Sequence, residues 1–533
     1  MGSFIASFST DLAWDELGRW PADVFAVTNL VLDHTEAYRI AVSPTEGGRW
    51  PPDEDWQDRV TTAAAEWRDT AGADRRSSDL PAPSTVSHQW RMLGENLDVP
   101  IEALRHGDVP QLCEALVTLH AVADEVHRGL AGVHTEELGQ FEEHAQALLD
   151  NRGSLSRIEP RRVRVTPKTH FPSRGLTIRS FSRYLALNYE SIDLRWCRVE
   201  VGEGNWVEGR QFHQVLLPWP LTVDADAFAS VEGPIGVDQE AFGFFAYRPE
   251  TPLDLDLVSE LLGAAKSNVE RVDSLILPEA ALSVEEIGPL EELLADAGVD
   301  ALVAGTRSSS IHGRLSRNYV HLGFRTPDGW IHREQDKHHR WCLDPPQIRQ
   351  YHLTRALSPT KRWWEAIELA PRRVEVIDTG GGATMVPLIC EDLARLDEVA
   401  DVLRRIGPSF VVGLLLDGPQ LSHRWSCRYA AVLADDPGSS VLTLTSMGMV
   451  ARSRPPETPP SRTVAMWSDP QTGVRQIDLE RGASAVLITS TVEPTPAWTA
   501  DGPRHETGVP ASVLTSVTQL RTRSRKGRSR HAA

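Results

Sequence analysis

Cysteine is scarce and unpaired in this sequence. The five residues at 113, 197, 342, 390 and 427 are an odd number with no close spacing, which argues against both a disulfide framework and a zinc knuckle. Free thiols in a reducing compartment are the expectation. Long apolar runs are also missing: no segment approaches the roughly 18 residues of a membrane span. Met1-Gly-Ser-Phe-Ile-Ala-Ser-Phe lacks the basic region and long apolar stretch of a signal peptide. A cytoplasmic chain with no membrane association is expected. Positive charge is short as well, with 55 Lys and Arg against 74 Asp and Glu and a formal net charge of −19, which opposes nonspecific attraction to nucleic acid. The local exception is Gln519-Leu-Arg-Thr-Arg-Ser-Arg-Lys-Gly-Arg-Ser-Arg530. Basic and poor in apolar residues, it reads as a solvated, disordered tail, the alternative being an arm that contacts nucleic acid or another polyanion.

At 533 residues and 41% hydrophobic, the chain can bury one large core or several. Residues 1–155 read as mostly helical, with helix-like spacing over 58–70 and 111–150 and loops at Trp50-Pro-Pro and 78–86. Leu112, Leu116, Leu119, Val122 and Val126 make one buried stripe, so this region is scaffold or interaction surface. His120, Asp124 and His127 share a face of the same helix; a polar face outweighs a metal site there. Residues 156–241 read as a β-rich connecting segment, with strands at 163–166 and 215–217 and a helix near 178–187. From 242 onward strands alternate with helices. Strands are expected at 242–247, 274–277, 300–304, 318–323, 329–334, 374–377, 384–389, 409–415 and 440–446, with a closing pair near 463–467 and 485–490. Helices are expected at 255–270, 285–297, 391–405 and 424–435. This places 242–495 in the α/β class, followed by a proline-rich, then basic, tail over 496–533.

Three ionisable residues stand at or just beyond short strand-like runs: Glu279 in Leu275-Ile-Leu-Pro-Glu, Lys337 in Glu334-Gln-Asp-Lys, and Cys390 in Met385-Val-Pro-Leu-Ile-Cys-Glu-Asp-Leu393. Taken singly each is ordinary, a helix-start acid, a surface charge and a buried core thiol. Together at strand ends they make a thiol-based reaction centre. A free thiol, with a pKa of about 8.5, needs a base or a positive neighbour to become the nucleophile. A partly desolvated Glu279 suits the base. The Lys337 ammonium suits thiolate and oxyanion stabilisation.

These residues resemble the nitrilase, or carbon–nitrogen hydrolase, superfamily over roughly 242–492. Leu-Pro-Glu279 is similar to its Phe-Pro-Glu strand end. Asn318-Tyr-Val-His-Leu with Asp328-Gly-Trp-Ile-His-Arg-Glu-Gln-Asp-Lys337 resembles its lysine hairpin, and Ile389-Cys390-Glu-Asp its nucleophile elbow. His423-Arg-Trp-Ser-Cys-Arg428-Tyr-Ala resembles the helix that follows, and Ser468-Asp-Pro-Gln-Thr-Gly473 the closing turn. The resemblance implies an αββα sandwich of the nitrilase type, no metal or organic cofactor, and a homo-oligomer paired through the sandwich. It also implies hydrolysis of a non-peptide carbon–nitrogen bond, amide before nitrile, through a Cys390 nucleophile, Glu279 base, Lys337 oxyanion stabiliser and thioester.

Three features depart from the family pattern. Glu391 follows the cysteine where many relatives have an aromatic residue, hinting at glutamine-like amides. Asp344-Pro-Pro-Gln stands where many carry a second glutamate. His338, His339 and Trp341 crowd the lysine, which makes Glu391, His338 and His339 candidates for substrate contact. The competing reading is a nitrilase-like interaction or defence module acting with a partner protein or nucleic acid. Similar domains with added segments occur in bacterial reverse-transcriptase-linked systems.

Overall fold

The computed structural model describes residues 1–8, 12–41, 50–72, 82–130, 139–170, 177–189, 192–199, 209–233, 236, 238–308, 315–379, 383–394, 399–453, 461–499 and 502–522, with side chains outside 494–510. Two seven-stranded sheets form its centre. The first runs Gly329–Asp336, Asn318–Thr326, Ala301–Arg307, Ser274–Ser283, Gln211–Leu216, Ala485–Thr499, Gly502–Leu520. The second runs Gly473–Asp478, Thr463–Asp469, Ser440–Thr445, Phe410–Leu415, Thr384–Ile389, Arg373–Asp378, Asp193–Arg198. Three adjacent strands in each are parallel: Gln211–Leu216, Ser274–Ser283 and Ala301–Arg307, and Thr384–Ile389, Phe410–Leu415 and Ser440–Thr445. Parallel strands are covered on both faces and so read as continuous apolar runs; every residue of Thr384–Ile389 and Phe410–Leu415 is buried.

The sheets pack face to face through Leu216, Ile276, Val303 and Val320 against Ile389, Val412, Leu414 and Leu442. Helices Leu255–Lys266 and Ile287–Asp296 cover the outer face of the first sheet through Val258, Leu262, Leu290 and Leu294. The Asp254 carboxylate starts the former by accepting from the Leu257 N–H at 3.1 Å. On the other side one apolar cluster runs from the sheet residues Val374, Val376, Val386 and Leu388 through Leu403, Ala430 and Leu433 to Phe25, Leu116, Val117 and Leu119 of the N-terminal helices. The result is the αββα sandwich that the resemblance implied, with the helical N-terminal region built onto its outer layer.

Several boundaries differ from the sequence reading. Residues 156–241 are more than a connection: Asp193–Arg198 forms an edge of the second sheet and Gln211–Leu216 sits inside the first. The polar start Gln211-Phe-His-Gln hid that strand's length. Phe242–Tyr247 instead joins a four-stranded side sheet with Phe228–Val231, Arg362–Glu365 and Cys342–Leu343, so the sandwich begins before 242. At the other end, the tail expected from 496 holds the end of the strand Ala485–Thr499 and the whole of its antiparallel partner Gly502–Leu520, with Ala511, Val513, Leu514 and Leu520 buried. Residues 523–533, most of the basic run, lie outside the described residues. The helix expected near 178–187 is a single turn, Ile178–Ser180, before the strand Leu185–Asn188. The long helix over 111–150 is two, Pro110–Val126 and Gln140–Arg152, and that over 391–405 contains Glu391–Ala394 and Asp401–Ile406.

His120, Asp124 and His127 serve separate partners. Asp124 accepts three backbone N–H groups, from Arg183 at 2.6 Å, Tyr184 at 3.0 Å and Leu185 at 2.8 Å. His120 Nδ1 lies 3.4 Å from Thr28 Oγ1, and His127 Nδ1 donates to the Ala123 carbonyl at 2.8 Å. Asp124 thus splices the helix to the strand entry, since three consecutive backbone N–H groups converge on one buried carboxylate.

Candidate active site

The candidate residues gather at one end of the sandwich, where the parallel strands of both sheets finish. Ser274–Ser283 slips register against Ala301–Arg307 between Leu277 and Leu282. Glu279 sits in that slip, followed by Ala280 at φ 51°, a left-handed conformation that non-glycine residues seldom adopt. The irregular backbone lies directly on Gly305: a Cβ there would stand 2.3 Å from the Pro278 carbonyl oxygen and 2.4 Å from Glu279 Cα. Gly305→Ala is therefore expected to displace the glutamate, lower stability by about 1–3 kcal/mol and depress any Glu279-dependent activity. Chemical unfolding and a rate assay on one preparation check both.

Lys337 follows the edge strand Gly329–Asp336 and donates its N–H to the Asn318 carbonyl at 2.8 Å. Its side chain is fully buried between two carboxylates, 2.7 Å from Glu279 Oε1 and 2.6 Å from Glu365 Oε2. Asn318 Nδ2 ties the same pair together, donating to Glu279 Oε1 and Glu365 Oε1 at 2.8 Å each. The Trp341 N–H adds a fifth contact, to Glu365 Oε2 at 3.2 Å. Glu365, the last residue of Arg362–Glu365, went unnoticed in the sequence. It supplies a second carboxylate to Lys337 from outside the segment that follows the lysine. Its signal was faint: an acid closing the aromatic run Arg362-Trp-Trp-Glu365, 28 residues beyond the lysine.

Cys390 ends the strand Thr384–Ile389 with φ 43°, a conformation that costs on the order of 1–3 kcal/mol and persists where surroundings impose it. Its N–H donates to the Leu414 carbonyl at 2.9 Å, and its own carbonyl accepts from the Leu393 N–H as the chain turns into Glu391–Ala394. Asp392 braces this turn against the lysine: it accepts from the His338 N–H at 3.1 Å and from His339 Nδ1 at 2.7 Å. His339 Nε2 accepts from Arg372 at 3.1 Å, and His338 Nδ1 donates to the Ala370 carbonyl at 3.2 Å. Both histidines, candidates for substrate contact, thus hold protein partners and clamp the Lys337 turn to the Cys390 turn. Glu391 is half-buried directly beside the cysteine.

Burial pushes Glu279 above the ordinary carboxylate range, the Lys337 charge opposing and the Glu365 charge reinforcing. Burial works against the Lys337 ammonium too, but Glu279 and Glu365 outweigh it and hold the lysine well above its usual value. The Cys390 thiol is pushed well above 9.0, first by burial and then by Glu279, with Lys337 opposing. The resting site is therefore a neutral thiol beside a buried cation held by two carboxylates. Alkylation of Cys390 by iodoacetamide, read by peptide mass, is expected to keep accelerating as pH rises past 9.0. A plateau near neutrality would show a preformed thiolate instead.

Asp417 lies just past Phe410–Leu415, the strand beside that of Cys390, and its charge adds to the upward push on the thiol. It accepts from the Tyr351 hydroxyl, from Arg424 at 2.7 Å and from Trp425 Nε1 at 2.9 Å. Ligands of α/β sheets bind beyond the carboxyl ends of parallel strands, which was the available clue to this residue. The closing turn also forms, with Asp469 Oδ1 accepting from the Gln471 and Thr472 N–H groups at 2.9 and 2.6 Å.

No protein-family model and no curated protein matches the chain. Among solved structures it is similar to Nit3 of Saccharomyces cerevisiae, described as a member of branch 10 of the nitrilase superfamily, at 13% identity and TM-score 0.31 over 52% of this chain and 89% of that one. A carbon-nitrogen hydrolase from Helicobacter pylori G27 aligns at 11% identity and TM-score 0.28, over 59% and 87% of the two chains. The NitFhit protein of C. elegans aligns at 13% and 0.33, over 51% and 59%.

Proposed function

We propose that the chain is a carbon–nitrogen hydrolase acting on an amide in preference to a nitrile. The observation that carries this is the buried Glu279–Lys337–Glu365 cluster, knotted by Asn318, in electrostatic reach of a cysteine held at positive φ. Such a cluster contributes little net stability, because burying three charges costs about as much as their attraction returns. Chemistry accounts for it better.

The Cys390 thiol gives its proton to Glu279 as sulfur attacks the amide carbon. The oxyanion is stabilised by Lys337, which Glu365 keeps charged, and by main-chain N–H groups near Cys390. Collapse breaks the carbon–nitrogen bond, and the amine leaves with the proton from Glu279. A thioester remains. Water attacks it, giving a proton to Glu279; the second tetrahedral intermediate releases the carboxylic acid and Cys390 recovers its proton. His338, His339 and Asp392 act as positioning residues, and Glu391 flanks the substrate.

The test is a panel of amides and nitriles incubated with purified protein and followed by intact mass. A rise equal to the acyl group, mapping to Cys390, is expected with some amides. Product release without any adduct dependence on Cys390 would sink the mechanism.

A further inference from the structure

A second constellation lies on the outer side of the first sheet, away from Cys390. Glu291 projects from Ile287–Asp296, His321 from Asn318–Thr326 and His332 from Gly329–Asp336. His321 Nε2 stands 2.8 Å from Glu291 Oε1 and His332 Nε2 3.0 Å from Glu291 Oε2, and one ligating atom from each residue lies within 4.8 Å of the others. It is the one such group of three found among the described residues. We propose that these three side chains bind a divalent transition cation of the zinc class.

The donor set decides the class. Two imidazole nitrogens and one carboxylate oxygen suit zinc and its neighbours, whereas calcium and magnesium prefer all-oxygen shells. Around zinc, bonds of about 2.0–2.2 Å place tetrahedral ligand atoms roughly 3.3–3.5 Å apart, so each His–Glu contact has to open by a few tenths of an ångström, within a trio whose ligand atoms already lie inside 4.8 Å of one another.

Glu291 and His321 are almost wholly buried, while the His332 side chain is 48% exposed. Two ligands are thus preset, and the fourth position faces water. His321 Nδ1 has no hydrogen-bond partner among the described residues. Without a cation, Nε2 carries the proton that it donates to Glu291; because Nδ1 is uncommitted, the ring can hold its proton there instead and present the Nε2 lone pair to a metal. The backbone also leaves room: a Cβ at residue 323 would come within 2.5 Å of Glu291 Oε1 and 3.3 Å of His321 Nε2, but Gly323 stands there.

A bound cation would fasten together the three elements around the first site's acid and base. His332 is on the strand that delivers Lys337. His321 is on the strand that opens with Asn318. Glu291 is on the helix after the Glu279 strand. The site would clip the frame from outside and touch no reacting atom.

Calorimetric titration of the metal-free protein with Zn²⁺, paired with the absorption spectrum on adding Co²⁺, tests this. One ion per chain is expected, with the intense visible bands of tetrahedral Co²⁺ and a raised thermal midpoint. His332→Ala removes an exposed ligand without touching the core and should weaken binding at least about tenfold. Gly323→Ala should weaken it by obstruction with all three ligands intact. Cys390→Ala should bind as tightly as wild type, which separates this site from the thiol. Absence of saturable binding, or equal affinity in wild type and His332→Ala, overturns the proposal. Because the readouts are binding and spectrum, they are independent of whether the chain hydrolyses any amide.

Discussion

Cys390→Ala is expected to abolish amide turnover, by on the order of 10⁴-fold or more, since removal of a covalent nucleophile leaves only binding and oxyanion stabilisation. The fold should survive. The change removes one buried sulfur atom, and the strained backbone at φ 43° is held by the Leu414 carbonyl and the following turn rather than by the side chain. Cys390→Ser should be inactive as well, because a hydroxyl in this buried site is far harder to ionise than the thiol it replaces. Circular dichroism and the thermal midpoint establish that the variants are folded; initial rates and intact mass then measure the loss. Cys113 and Cys427 stand within helices, Cys197 within an edge strand and Cys342 in the side sheet, so none takes the place of Cys390 at the end of a central strand, which makes them poor substitutes. An acyl adduct that persists in Cys390→Ala would assign the chemistry elsewhere.

The parts of this molecule that could be read from the sequence are those in which a single short segment carries its own signal. Leu275-Ile-Leu, Met385-Val-Pro-Leu-Ile and Phe410-Val-Val-Gly-Leu-Leu are unbroken apolar runs because parallel strands are buried on both faces. Glu279, Lys337 and Cys390 were visible because each stands where such a run or hairpin stops. Glu365 was not, since its place beside Lys337 depends on a side sheet pairing Arg362–Glu365 with Phe242–Tyr247, a contact between residues 120 apart that no local pattern encodes. Gln211–Leu216 was underread for a related reason: its outer half is polar, and only its neighbours Ser274–Ser283 and Ala485–Thr499 make it a central strand. The hairpin to Leu520 was masked by prolines at 494, 496, 503 and 510, which favour loop readings although strand pairing continues past them. The histidines beside Lys337 are plain in the sequence, but their attachment to Asp392 needs the two turns to meet in space.

Lys337→Met is expected to remove activity and also to destabilise the protein, by about 3–5 kcal/mol, because it leaves Glu279 and Glu365 buried and facing one another with only Asn318 between them. Like charges so placed cannot both stay ionised, so one carboxyl takes up a proton and its folded-state pKa rises above the unfolded value. The sign follows from proton binding. Between those two values the folded variant binds more protons than the unfolded chain, so its stability falls as pH rises above the ordinary carboxylate range. Urea unfolding at pH 5 and pH 8 should show the variant losing more stability than wild type between the two. Adding Glu365→Gln removes one of the opposed charges and keeps a group able to accept from the Trp341 N–H. The double variant should therefore recover much of the lost stability and its pH dependence should shrink, while turnover stays absent for want of the Lys337 charge. Groups in direct contact behave non-additively, and here the coupling has a definite direction: Glu365→Gln stabilises the Lys337→Met chain but destabilises the wild-type one. If Glu365→Gln has the same effect in both backgrounds, the two side chains do not act as a pair and the cluster drawn at this site is wrong.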